Sequence, residues 1–288
     1  MSTKLFPALL KYWRIRRGMS QLELALAADV SSRHISFMET GRASPSEDML
    51  LRVMGTLSVP LRDQNHALVA ADFAPRYAEN DLDKIDPAVD AAIDRMMQNH
   101  EPYPLTVMNA GYDILRCNQS AKVIFSQFVA QPERLLAPLN LFDLVFDPAL
   151  ARPFIHNWSQ VGQQMVYRLH REALLKNEDD ALWTLLERVL SYPSVPGSWR
   201  MPDFSLSQGP INPLVLKNEA VQLGFFMVVT TFLASQQITL DELRIESYFP
   251  VDDATRRACE ALADAARQGD TAMAMAASTV DSGWMLAK

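Results

Sequence analysis

Apolar residues recur at near-helical spacing over residues 5–17, with Leu5, Leu9, Leu10 and Trp13 sharing a side. The spacing predicts a first helix, which Gly18 ends. Ser20 with Glu23 three positions on has the form of a capping box and opens a second helix over 21–27. A turn through 28–30 leads to Ser31, another N-cap, and a third helix that runs to about Glu39 before Gly41 stops it. Ser44-Pro45-Ser46 starts a fourth, with Glu47 and Asp48 in the first turn, where negative charge suits the helix dipole. Pro60 precedes a fifth helix over 61–71. The pattern predicts one small all-helical domain, residues 1–74.

The texture then changes. Residues 75–100, with prolines at 75 and 87 around an amphipathic piece over 86–98, read as a connecting segment. Short extended runs at 105–108 and 112–117 flank Asn109-Ala110-Gly111, a hairpin turn. Helical patterns follow at 121–128, 139–146, 154–175 and 180–190, and residues 192–213 are rich in Pro, Ser and Gly. Residues 213–217 and 221–231 read as strands joined at Asn218-Glu219, 240–249 as a last strand and 252–267 as a helix. Strands at both ends of a segment with helices between them predict a second domain of the α+β class, residues 101–268. The Ala- and Met-rich stretch 269–288 reads as a tail or a capping helix.

Composition changes this picture little. Of 288 residues 49% are hydrophobic and 21% charged, which suits a folded chain. Cys117 and Cys259 form neither a metal-ligand spacing nor a disulfide framework, so a reducing, cytoplasmic setting is expected. Arg14, Arg16 and Arg17 interrupt any signal-peptide pattern, and the apolar run 223–234 is too short to span a membrane. Charge is more informative. The net value is -7, yet residues 1–44 hold seven Lys or Arg against three acids, while 75–288 hold 18 against 27. A basic head on an acidic body is what steering one end toward DNA would require. The sequence holds no GxSxG, P-loop, HExxH or glycine-rich dinucleotide turn, and His34, His66, His100, His156 and His170 make no metal spacing. No enzyme activity, required cofactor or metal is expected. The acid pairs Asp179-Asp180 and Asp252-Asp253 read as helix-start caps.

The run from Ser20 through Ala25, Ala28-Asp29-Val30-Ser31, residues 35–42 and Pro45-Ser46 resembles the Cro/repressor, or XRE, class of helix-turn-helix, over about residues 6–71. The resemblance implies a double-stranded DNA partner, a homodimer, and a third helix presented to the major groove. Leu22, Ala25, Val30, Ile35 and Met38 are expected to hold the two crossing helices together. By match to the family, Ser32, Arg33 and Phe37 lie at base edges, and Arg33 can reach a guanine with two bonds. Gln21, Ser31, Ser36, Arg16, Arg17 and Arg42 are the expected phosphate contacts. Arg14 and Glu39 occupy positions that form a salt bridge in many family members, bracing helix one to helix three.

Further on, Pro102 through Asn109, Asp113-Ile114-Leu115, Asn118-Gln119-Ser120-Ala121, Asn140-Leu141-Phe142 with Phe146 and Asp147-Pro148-Ala149, and Trp158 resemble the MmyB-like ligand-binding domain, a PAS-type fold with an antiparallel sheet. An arginine-rich stretch common near that family's third strand is reduced here to Arg200 within 195–209. The whole is thus expected to be an all-α five-helix helix-turn-helix domain followed by an α+β PAS-like domain. Such a domain implies a pocket, with Phe125, Phe128, Phe142, Phe146, Phe154, Trp158, Val166, Phe225 and Val229 as candidate lining. These aromatics equally suit a solid core. If they line a cavity it is apolar, which points to a small hydrophobic ligand such as a bound fatty acid. Arg168, His170 and Arg171 are candidates to pair with an acidic head group. Two other readings stay open: a rear domain that serves only dimerisation or protein interaction, and an enzyme carrying a DNA-binding head.

Overall fold

The computed structural model describes residues 5–79, 85–175, 181–201, 213–232 and 236–268. The expected tail at 269–288 and the cap at Asp179-Asp180 lie outside these. The chain divides into two compact units, residues 1–85 with 232–241, and residues 86–231 with 242–288.

The first unit is a helical bundle of α1 (Leu5–Arg16), α2 (Gln21–Ala27), α3 (Ser32–Glu39), α4 (Glu47–Thr56) and α5 (Leu61–Ala70). Local chemistry sets the boundaries. The Ser20 hydroxyl accepts from the Glu23 amide while the Glu23 carboxylate accepts from the Ser20 amide, a complete capping box. Ser31 and Ser46 cap α3 and α4 by accepting from the amides of His34 and Met49. Gly18 and Gly41, at φ values of +66° and +71°, take the left-handed conformation that ends a helix. Leu10 and Trp13, Leu24 and Ala25, Ile35 and Met38, Leu50 and Met54, and Leu68 close one core. Leu22 departs from expectation. It is 58% exposed, and the inward face of α2 is carried by Leu24, Ala25 and Ala28. On a two-turn helix, the close approach of α3 at Ala25 fixes which stripe faces inward, and 22 lies off it. A later stretch of chain, 232–241, also belongs to this unit: Gln237 bridges Ala78, the Ile238 amide donates to the Ala78 carbonyl, and Ile238 and Leu240 are buried.

The second unit is α+β. Its strands are β1 (Leu105–Met108), β2 (Ile114–Cys117), β3 (Leu214–Lys217), β4 (Gln222–Thr231) and β5 (Arg244–Pro250). They form an antiparallel sheet in the order β2-β1-β5-β4-β3. Its helices are α6 (Pro87–Asn99), α7 (Gln119–Ser126), α8 (Leu141–Phe146), α9 (Trp158–Leu175), α10 (Ala181–Ser191) and α12 (Asp253–Arg267), while the short α11 (Ile238–Glu242), which leads into β5, belongs to the first unit in all but its last residue. The stretch 240–249, read as one strand, therefore begins as helix. The stretch read as a connection contains α6, whose Ile93 is fully buried and whose Asp90 and Asp94 pair with Arg116 of β2. Asn118 ties the start of the sheet to α7. Its Oδ1 accepts from the amides of Leu105 (2.9 Å) and Ala121 (3.0 Å), and its Nδ2 donates to the Tyr103 carbonyl (2.8 Å). Asp252 caps α12 by accepting from the Thr255 amide.

Residues directly opposite each other on antiparallel strands share a face. Glu246 faces Thr106 on β1 and Val229 on β4, and Tyr248 faces Met227. This face, with α8 and α9, closes the core around Phe128, Phe142, Phe146, Trp158 and Phe225. Gly224 has no room for a side chain, since a Cβ there would lie 2.6 Å from Cγ2 of Val251. Gly224→Ala is expected to destabilise the second unit by about 1–3 kcal/mol through overpacking. Urea denaturation followed by tryptophan fluorescence measures it, and an unchanged midpoint counts against this packing.

Candidate functional site

The recognition helix α3 is held at its C-terminal end by charge. Glu39 carries a side chain only 2% exposed, and such a carboxylate needs partners. Arg14 supplies two, Nε to Oε1 at 2.5 Å and Nη2 to Oε2 at 2.9 Å, and also donates from Nη1 to the Met19 carbonyl at 2.8 Å. Gln21 adds Nε2 to Oε2 at 2.7 Å. One carboxylate thus joins α1, α2 and α3. Burial alone would raise the Glu39 pKa, but the hydrogen bonds from Arg14 and Gln21 and the charges of Arg14 and Lys11 outweigh it and hold it below the usual range.

The open side of α3 carries the residues assigned to DNA. Arg33 is exposed, Ser31 is exposed at the N-cap, and Ser32, Ser36 and Phe37 are half-buried. The guanidinium groups of Arg33 and Arg42 lie over the Phe37 ring at 5.0 Å and 5.9 Å, so these three form one basic-aromatic patch. Arg16 stacks on Tyr12 and Trp13, and Arg17 donates to the carbonyls of Leu57 and Ser58, both at 2.6 Å. Arg17 therefore ties α1 to the turn before α5. Gln21 is likewise engaged with Glu39.

In the second unit, Phe125, Phe128, Phe142, Phe146, Trp158, Val166 and Phe225 are buried in one core and Phe154 packs against it. Val229 does not join them. It is 42% exposed, because its segment of β4 runs beyond the length paired with β3 among the described residues. An aromatic path runs from Tyr112 to Phe142 (4.8 Å between centroids), Phe146 (6.1 Å), Trp158 (5.6 Å) and Trp199 (5.2 Å).

A polar cluster lies beside this path. The Tyr112 hydroxyl donates to Glu172 Oε1 (2.8 Å), and Arg244 donates to Glu172 Oε2 (2.9 Å). Arg244 and Arg168 lie over the Tyr112 ring at 4.4 Å and 5.2 Å. Tyr248 donates to Glu246 Oε2 at 2.9 Å, and both are almost completely buried. Burial pushes the Tyr112 hydroxyl up to about 12, against the opposing charges of Arg168 and Arg244. Burial also raises the Glu246 carboxyl, with Arg168, Tyr248 and Arg244 acting in the other direction. Of the three cations considered for an acidic head group, Arg168 belongs to this cluster. His170 is buried elsewhere, its Nε2 3.0 Å from the Trp199 carbonyl, and Arg171 is exposed. Sequence reasoning missed Tyr112, Glu172, Arg244, Glu246 and Tyr248. The one available signal was a pair of opposite charges, Arg244 and Glu246, on one face of a short strand. Among the described residues no group of three or more His, Cys, Asp or Glu is placed to hold a metal, and no helix is long and apolar enough to cross a membrane.

A helix-turn-helix head and a PAS-like domain with a closed aromatic and polar interior together define a DNA-binding transcription regulator with a ligand-binding domain. The helix-turn-helix family model matches residues 10–64, and that of the MmyB-like transcription regulator ligand binding domain matches residues 89–262. The chain belongs to the latter family. No curated protein matches it.

Removing Arg14 leaves a buried carboxylate with Gln21 alone. Arg14→Ala is expected to lower the stability of the first unit by about 3 kcal/mol at neutral pH. Because the folded pKa of Glu39 is depressed, its contribution is present above the unfolded value, about 4.3, and disappears as the pH falls through the lower folded value. Urea midpoints of wild type and Arg14→Ala should therefore converge in strong acid. A gap that stays constant with pH contradicts the brace.

Proposed function

We propose that the chain is a cytoplasmic, homodimeric regulator that reads DNA through α3 and binds a small hydrophobic, fatty-acid-like ligand in its second unit. The observation that carries the first half is the patch of Arg33, Phe37 and Arg42 on a helix fixed by the Arg14–Glu39–Gln21 network. A rigid helix with an exposed arginine can make a bidentate contact to guanine O6 and N7, and an adjacent aromatic can meet a thymine methyl. Ser32 joins Arg33 and Phe37 at the bases, while Ser31, Ser36, Arg42, Gln21, Arg16 and Arg17 serve the phosphates. Two heads on one pseudo-palindromic operator supply the contacts a single small head lacks. The aromatic interior supports the ligand assignment.

A second reading has its own support. Phe226 and Phe249 are cross-strand partners, 38% and 43% exposed, and Val228 beside them is 50% exposed. An apolar sheet face of this kind suits dimerisation or protein interaction by the second unit.

Footprinting of the full chain on the promoter of its own gene tests the DNA assignment. Arg33→Ala should weaken the specific site and relax one base-pair preference by about 1–3 kcal/mol. Arg42→Ala should weaken all sequences alike and reduce the slope of log affinity against log salt by about 1. An unchanged footprint with Arg33→Ala overturns the base contact. For the second reading, Phe226→Ser with Phe249→Ser should shift the chain toward monomer in sedimentation. A dimer that survives both changes removes that face as the interface.

A further inference from the structure

We infer that Phe37 is a positioning residue of the DNA-binding surface, whose ring sets Arg33 for a guanine edge and Arg42 for a phosphate. The inference rests on the DNA reading above and gives Phe37 a task beyond its own meeting with a base. The arginines at the end of α1 are fixed by hydrogen bonds. Arg14 donates to Glu39, Arg16 to the Tyr12 hydroxyl, and Arg17 to the carbonyls of Leu57 and Ser58. Arg33 and Arg42 are held differently. Among the described residues no carboxylate pairs with either, and their guanidinium groups rest on the Phe37 ring, 5.0 Å and 5.9 Å from its centroid.

Backbone geometry brings the three side chains together. Arg33 and Phe37 are one turn apart on α3, the spacing at which helix side chains lie one above the other. Arg42 lies beyond the helix and reaches the same ring because the chain turns back on itself. Gly41, at φ +71°, makes that turn, and the amides of Arg42 (2.8 Å) and Ala43 (3.3 Å) both donate to the Phe37 carbonyl. The Thr40 hydroxyl donates to the carbonyls of Ser36 and Phe37, which ties the same turn to the end of α3. Phe37 therefore holds one arginine through the helix and the other through the turn. An arginine that is free in solvent gives up rotamer freedom when it meets a base edge with two bonds, and one already resting on a ring gives up less. Leucine in place of Phe37 keeps the apolar bulk but offers no ring face. It releases both guanidinium groups without removing any charge.

Fluorescence anisotropy on the full chain with the footprinted duplex tests this. A second duplex carries A·T in place of the G·C pair that Arg33→Ala ceases to distinguish, and a third carries uracil for thymine. Wild type is expected to prefer the first duplex to the second by at least about tenfold. Phe37→Leu should reduce that preference to less than about threefold and also weaken both duplexes, so that one uncharged substitution shows the effects of Arg33→Ala and Arg42→Ala together. Phe37→Tyr, which keeps the ring, should restore the preference. If Phe37→Leu fails to fold by circular dichroism, Phe37→Met carries the same comparison. A ringless variant that keeps the full guanine preference overturns the positioning role and leaves the DNA reading standing. So does one that loses only a preference for thymine over uracil, since the ring then reads a methyl group and nothing else. A wild type that binds both of the first two duplexes equally overturns the base contact of Arg33, and the inference with it.

Discussion

A charge taken out of water must be met by other charges or hydrogen-bond donors, and both units of this chain are organised around that requirement. In the first unit the carboxylate is Glu39, and it is satisfied only if α1, α2 and α3 stand where Arg14 and Gln21 can reach it. The orientation of the recognition helix follows from a hydrogen-bond network as well as from apolar packing. In the second unit the groups are the half-buried Glu172 and Arg244 and the buried Glu246, and their partners come from the turn before β2, from α9 and from β5. There the accounting is incomplete at Arg168, whose buried Nε has no hydrogen-bond partner among the described residues.

The two networks differ in rigidity. Around Glu39 each partner is engaged, which holds α1, α2 and α3 in one arrangement. Around Tyr112 the contacts include two cations over a single ring, an arrangement stabilised by the ring face and opposed by mutual repulsion of the guanidinium groups. Glu172, bonded to both Arg244 and the Tyr112 hydroxyl, offsets part of that repulsion.

Much of the first unit was legible in the chain because its signals are local. Ser20 with Glu23, Ser31, Ser46, Gly18 and Gly41 mark helix ends by chemistry that acts within four residues, and the helices begin and end there. Leu22 was misplaced because on a two-turn helix several stripes are equally apolar, and only the crossing helix chooses between them. The α+β class and most strands of the second unit were also legible from alternation and turn residues. Its polar cluster was not. Tyr112, the pair Arg168 and Glu172 on α9, and the pair Arg244 and Glu246 on β5 come from three separate stretches of sequence, and each in isolation reads as an ordinary surface or strand residue. Val229 looked like core because it alternates correctly with Phe225, but alternation fixes the face of a strand and not whether that length of strand is covered.

The segment 232–241 bears on how the chain can be divided. It is spliced between two strands of the second unit, yet its compact neighbourhood is the first, where Gln237 bridges Ala78 and Ile238 and Leu240 are buried. The head is thus not a contiguous N-terminal module. A fusion that grafts residues 1–85 onto a foreign sensor transplants the helix-turn-helix but leaves Ala78 without its bridging partner and omits two buried side chains. Recombination between such regulators, in the laboratory or in evolution, keeps this head whole only when the β4–β5 connection travels with it.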